Sequence, residues 1–103
     1  MAYQLIFEPA FKRDYKRVVA MHPQVRGELL GALRELEASG SVSDQYKPHL
    51  LVHAGGNYTG HMEFHLAEGR YDVIVIYQPH HTSPSIRLVR MGRHRDLFQG
   101  PVL

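Results

Sequence analysis

Four arginines and a histidine crowd nine residues near the end of the chain: Arg87, Arg90, Arg93, His94 and Arg95. Fixed guanidinium charge beside a group that titrates near neutrality suits chemistry on a phosphate. There, negative charge builds on oxygen and a proton must move. Further candidates lie upstream. His49 stands in a loop after Lys47-Pro48, His65 belongs to an alternating run, and Asp72 heads an apolar one. Histidines, a carboxylate and arginines can supply a proton acceptor, a proton donor and a charge stabiliser. No acidic cluster of the magnesium-binding kind is visible. The reaction implied is attack by an RNA 2′-hydroxyl on its own phosphodiester.

Other polar residues carry plainer readings. Arg87 and Arg95 read as surface charge, and His80 and His81 as a hairpin loop. Glu63 reads as a solvated cross-strand partner. The run His61-x-Glu63-x-His65 resembles a set of metal ligands, but a strand rises about 3.3 Å per residue, leaving His61 and His65 roughly 13 Å apart. Those two cannot share an ion. Only neighbours such as Glu63 and His65 could, with help from elsewhere, so neither a metal nor another cofactor is expected.

These groups need a scaffold. Tyr3 to Phe7 predicts a strand, ended by Glu8-Pro9. Phe11, Tyr15, Val18 and Val19 recur at helical spacing, with Lys12, Arg13, Asp14, Lys16 and Arg17 on the other faces. His22-Pro23 breaks that helix. Val25, Leu29, Leu33 and Leu36 mark a second, from about Gln24 to Ala38, with Gly40 placed to cap it. The two form a helical hairpin whose apolar stripes must lie on a sheet. Residues 39–57 read as irregular, with a turn at Gly55-Gly56-Asn57. In the next strand Met62, Phe64 and Leu66 face the helices, and His61, Glu63 and His65 face an open side. After a turn at Gly69-Arg70, Tyr71 to Gln78 is apolar on both faces and predicts a central strand. Pro79 to Ser85 predicts a hairpin loop, and Ile86 to Met91 the last long strand. Arg90 shares parity with Ile86 and Leu88, which look like core. Either a bulge re-aims the strand near Arg90, or Arg87, Val89 and Met91 take the core side; failing both, Arg93 is the better phosphate ligand. The fold class is α+β in one domain, residues 1–103: an N-terminal strand, a helical hairpin, an antiparallel three-stranded meander and a short C-terminal turn or helix.

Composition sets outer limits. A chain of 103 residues, 44% hydrophobic and 21% charged, is ordinary for one globular domain. It has no cysteine, so disulfides and thiolate metal sites are excluded and a reducing compartment fits. The net charge of +2 does not by itself mark a nucleic-acid binder. No apolar run approaches a membrane span and no basic leader precedes one, so a cytoplasmic protein is expected.

The runs Lys47 to Leu51, Gly60 to His65, Asp72 to Tyr77 and Arg87 to Phe98 together resemble the YafQ branch of the RelE/ParE toxin superfamily. The closing Arg-x-Gly-x-His-x-x-Leu-Phe pattern, Arg90 to Phe98, is the most specific part. The resemblance implies a RelE-like fold and a type II toxin held inactive by a cognate antitoxin. It implies a metal-independent mRNA endonuclease acting in the ribosomal A site, in contact with mRNA and ribosomal RNA. It puts functional weight on His49, His65, Asp72, Arg90, His94 and Phe98. In that reading His94 protonates the leaving 5′ oxygen. Asp72, His49 or His65 accepts the 2′ proton, and Arg90 or Arg93 stabilises the phosphorane. Phe98 stacks on a base or shapes the pocket, while Arg93 and Lys47 hold phosphates. The chain departs from the family pattern in a longer segment from Ala67 to Tyr71. It also has Val73 where a tryptophan is usual, which makes Tyr71 the substitute aromatic. Two other readings fit the same fold: a ParE-like toxin that binds DNA gyrase without cleaving, and an inactive module that only engages a partner.

Overall fold

Pro9 sits in the first turn of helix α1 (Pro9–Met21), where its missing N–H removes no helical bond. Pro23 ends that helix, because a residue preceding proline is driven out of the helical region. Helix α2 (Val25–Ser39) stops at Gly40, which adopts φ 81° and donates its N–H to Leu36 O at 2.8 Å. The computed structural model describes residues 2–52, 58–66 and 72–98, and of Phe98 the backbone alone.

The remaining elements are strand β1 (Gln4–Phe7), a 3-10 turn (Asp44–Tyr46), strands β2 (His49–Leu50), β3 (Met62–His65), β4 (Ile74–His80) and β5 (Ser85–Gly92), and a one-turn helix α3 (His94–Phe98). The five strands form one sheet in the order β1-β5-β4-β3-β2. β1 pairs parallel with β5, and every other pairing is antiparallel. The predicted strand, helical hairpin and meander are all present.

Both helices lie on one face. Phe11, Val18, Val25, Leu29, Ala32 and Leu36 pack onto Phe64, Leu66, Val75, Tyr77, Ile86, Leu88 and Met91. The other face is not open, as the alternation had suggested. Leu51, Ile74, Ile76 and Leu97 form a second apolar cluster there, flanked by Tyr58 and Val89.

Three local expectations change. Residues 39–57 were expected to be irregular, yet they contain the 3-10 turn and β2, so the meander has four strands and His49 lies on the edge strand rather than in a loop. A two-residue strand leaves too short a pattern to see in sequence. The strand β4 continues through Pro79 to His80, so the hairpin turn is only 81–84. Proline is tolerated near a strand end. The parity of the last strand is resolved by a bulge. Ile76 pairs with Arg90 but Tyr77 with Leu88, so Val89 is the extra residue. Ile86, Leu88 and Met91 are thereby all core, while Arg90 leaves the core side. The glycine turns at Gly55 to Asn57 and at Gly69-Arg70 lie outside the described residues, as does Tyr71.

Candidate active site

One row crosses four strands of the sheet: His49 on β2, Glu63 on β3, Ile76 on β4 and Arg90 on β5. The next row holds His65, Ile74 and Gly92. Since side chains alternate along a strand, His49, Glu63 and His65 emerge on the same face, away from the helices. α3 follows Gly92 by one residue and returns His94 over that face.

The convergence point is Glu63, only 1% exposed. One carboxylate oxygen, Oε2, lies 2.8 Å from His49 Nε2, 3.1 Å from His65 Nε2 and 3.4 Å from His94 Nε2. The other, Oε1, is buried and has no hydrogen-bond partner among the described residues. The expectation of a solvated Glu63 is therefore wrong. The second apolar cluster on this face closes over its stem and removes it from water. The clue in the sequence was the apolar character of the central strand on both faces, which requires both to be covered.

His49 and His94 are also oriented from their other side. His49 Nδ1 faces the Lys47 carbonyl at 3.2 Å, an oxygen that can only accept. Lys47 takes a left-handed conformation, φ 51°, that turns its carbonyl that way, while its residue is exposed. Asp72 clasps His94 twice: Oδ1 is 2.6 Å from Nδ1 and Oδ2 accepts the backbone N–H at 3.1 Å. The ring of His65 lies 5.7 Å from that of His49 and 5.5 Å from that of His94, centre to centre.

Environment separates the two central histidines. Partial burial works against the imidazolium of His94. Asp72 and Glu63, one at each ring nitrogen, outweigh it and hold His94 above the ordinary histidine value. At His65 burial dominates. Glu63 opposes it, but the neighbouring His94 and His49 reinforce it, and His65 is held below the ordinary value. The two neighbouring imidazoles are thus pushed apart in proton affinity, His94 upward and His65 downward.

Arg90 is fixed rather than free. Its Nε and Nη2 donate to Asp14 Oδ2 and Oδ1 at 2.7 and 3.2 Å, and Nη1 donates to the Tyr58 hydroxyl at 3.2 Å. The Asp14 bonds outweigh burial and raise its already high pKa further. Asp14 is 2% exposed, accepts the Met91 N–H at 3.0 Å and also pairs with Arg17 at 3.0 Å. It was expected on a solvated helix face and is not there. In sequence it falls three residues after Phe11 and four before Val18, on the apolar stripe itself. A carboxylate on such a stripe calls for a buried cation, and that was the available signal. Tyr58 carried none.

Arg93 is exposed and bound to Asp96, Nε to Oδ2 at 3.0 Å. It borders a cleft of about 310 Å³ beside Asp72, shared with Arg17 of α1 and with His22, which caps that helix. Arg87 is exposed and paired with Glu8, and Arg95 is exposed. The Phe98 side chain lies outside the described residues, and its backbone closes α3.

Three groups come within metal-binding reach. His49, Glu63 and His65 each offer a ligand atom, and these atoms lie within 4.8 Å of one another. His49 supplies the help from elsewhere that the strand spacing alone could not.

Known proteins resemble this chain over nearly its whole length. Residues 3–99 match the family described as the bacterial toxin of type II toxin–antitoxin systems, YafQ. No curated protein sequence gives a significant match. Among solved structures, a metal-bound toxin from Helicobacter pylori is 25% identical with TM-score 0.66, over 95% of this chain and 100% of that one. A copper-bound mutant toxin from the same organism is 24% identical with TM-score 0.65, over the same shares. YafQ from Escherichia coli strain BL21(DE3) is 22% identical with TM-score 0.66, over 93% and 98%. With the family profile spanning almost the whole sequence, this chain belongs to the YafQ family of type II toxin–antitoxin toxins.

Proposed function

We propose that this toxin is an mRNA endonuclease that cleaves in the ribosomal A site of the cytoplasm by 2′-hydroxyl attack. The observation that carries the reading is the pair His94 and His65. Two imidazoles in adjoining positions have environments that push their proton affinities apart, as an acid and a base require. His65 accepts the 2′ proton as the 2′ oxygen bonds to phosphorus. Arg90, immobilised by Asp14 and Tyr58, stabilises the phosphorane. Only one N–H of each of its three nitrogens is used in those bonds, which leaves two of the five for phosphate oxygens. His94 gives its proton to the departing 5′ oxygen. The products are a 2′,3′-cyclic phosphate and a 5′ hydroxyl. Asp72, spent on His94, is a positioning residue. Glu63 holds the three imidazoles in register, and His49 is the alternative acceptor. Arg93 and Lys47 are suited to flanking phosphates, and Phe98 to a base.

Induced expression tests this. Wild type should arrest growth and cut messages inside codons, and His94→Ala should do neither. Equal toxicity of the two would remove His94 as the acid. A 2′-deoxy nucleotide at the cut position should block cleavage.

A second property is supported by the donor set together with the metal-bound relative. His49, Glu63 and His65 fit a divalent transition ion, and the unpartnered Oε1 of a buried carboxylate is the kind of atom such an ion satisfies. When bound, the ion would supply local positive charge to the site. It would also occupy the histidine lone pair that proton transfer needs, so cleavage should continue undiminished in EDTA and fall when copper or zinc is added. Loss of activity in EDTA would reverse that assignment.

A further inference from the structure

The cleft of about 310 Å³ that Arg93 borders has no part in the two proton transfers. It lies between the last turn of α1, the residues just ahead of β4 and the corner where β5 turns into α3. Val18, Met21 and Val73 give it an apolar wall. Met21, 67% exposed, is the most exposed large apolar side chain among the described residues. A flat ring set against it would take that surface out of water. The polar side of the cleft comes from Arg17, Asp72 and Asp96. Arg17 is half-exposed and donates Nη2 to Asp14 at 3.0 Å, which leaves Nε and Nη1. A Cβ added to Gly92 would lie 3.8 Å from that Nη2, so the guanidinium reaches the β5–α3 corner. Arg93 holds Asp96 side-on, Nε to Oδ2 at 3.0 Å and Nη2 to Oδ1 at 3.4 Å. Arg93 foremost, and Arg17 with it, keep the Asp96 carboxyl below the usual carboxylate range. The cleft thus sets an ionised acceptor near a second cation.

We propose that this cleft receives the base of the ribonucleotide immediately 3′ to the cut and prefers guanine, an inference that rests on the endonuclease reading of the histidine site. In that reading His94 protonates the 5′ oxygen of this same nucleotide. Asp72 holds His94 Nδ1 at 2.6 Å and also lines the cleft, so the base of the departing nucleotide falls beside it. The volume is at the small end for ligand pockets and suits a single base. Guanine alone among the four bases carries two donors, N1–H and N2–H, next to one acceptor, O6, on its pairing edge. The two oxygens of Asp96 match the donors, and Arg17 matches O6. Adenine offers that edge one donor and leaves a carboxylate oxygen without one. Cytosine and uracil each bring two acceptors toward Asp96. Met21 and Val18 take the flat face of the ring. A bare phosphate fits less well, because Asp72 and Asp96 line the same cleft.

The experiment gives the full chain ribosomes loaded with messages that differ only in the nucleotide after the cut, and measures single-turnover cleavage. Wild type should cut before guanine at least roughly tenfold faster than before any other base. Inosine, which lacks the N2 amine, should lose much of that advantage. Asp96→Asn presents one acceptor and one donor, so its preference should move from guanine to adenine. Asp96 is exposed, and an unaltered thermal midpoint verifies the fold. A purely structural role for Asp96 would slow all four messages alike and overturn the proposal. Equal wild-type rates on the four messages overturn the cleft assignment and leave the endonuclease reading intact. So does a guanine preference that survives both inosine and Asp96→Asn. Failure of wild type to cut any message overturns both.

Discussion

Asp14 in α1 grips Arg90 in β5 across 76 positions of sequence, with Nε–Oδ2 2.7 Å and Nη2–Oδ1 3.2 Å. The same carboxylate accepts the N–H of Met91, just past the bulge. One buried group therefore fixes the helix to the strand, shapes the bulged backbone and aims the guanidinium. Asp14→Ala should destabilise the protein by about 3 kcal/mol, the low end for breaking a buried pair from one side, because Arg90 retains some access to water. Urea unfolding checks this. The double variant with Arg90→Ala should recover part of the loss, since only the exposed Arg17 then lacks its partner and no half-buried charge is left unpaired.

The Asp72–His94 contact predicts a pH profile. The acid must be protonated, so cleavage should fall as pH rises through the raised pKa of His94. The base must be neutral, so cleavage should fall as pH drops through the lowered pKa of His65. Asp72→Asn should move the alkaline limb to lower pH and leave the acid limb in place. Histidine NMR titration would assign both. Stability follows with opposite signs. The His94 contribution is full below the unfolded histidine pKa, about 6.5, and fades as pH rises through its folded value; the His65 effect disfavours folding below about 6.5 and disappears above it.

Glu63→Gln keeps the shape of the side chain and removes its charge. It should lower the His94 pKa toward the ordinary value and slow single-turnover cleavage by about a hundredfold or more. It should also weaken copper binding in calorimetry. Unchanged affinity would exclude Glu63 from the donor set.

Gly40 tests the scaffold alone. At φ 81° it closes α2, and a Cβ there would approach the Tyr3 ring to 2.5 Å. Gly40→Ala combines left-handed strain with that clash and should cost about 2–3 kcal/mol in thermal or urea unfolding. Growth arrest should persist at temperatures where the variant remains folded.

Much of the scaffold was legible because it rests on periodicity. The stripe Val25, Leu29, Leu33, Leu36 and the alternation Met62, Phe64, Leu66 each name one buried face, and those faces meet. The edge strand at His49-Leu50 was not legible, since two residues make no pattern and their strand character comes from pairing with Met62 and Glu63. Asp14 and Glu63 were misread for a common reason. A lone carboxylate is placed in water by its type, and only distant cations or imidazoles justify burying it.

The sequence by itself determined the fold class, the family and the basic closing stretch that carries Arg90 and His94. Those follow from local pattern and residue type, which need no knowledge of what lies opposite. Tertiary structure alone decided that three histidines meet on one oxygen of Glu63, that Asp72 turns toward His94, and that a single extra residue, Val89, swings Arg90 out of the core to Asp14 and Tyr58. Each of those depends on register between strands, and a shift of one position would send every side chain to the other face.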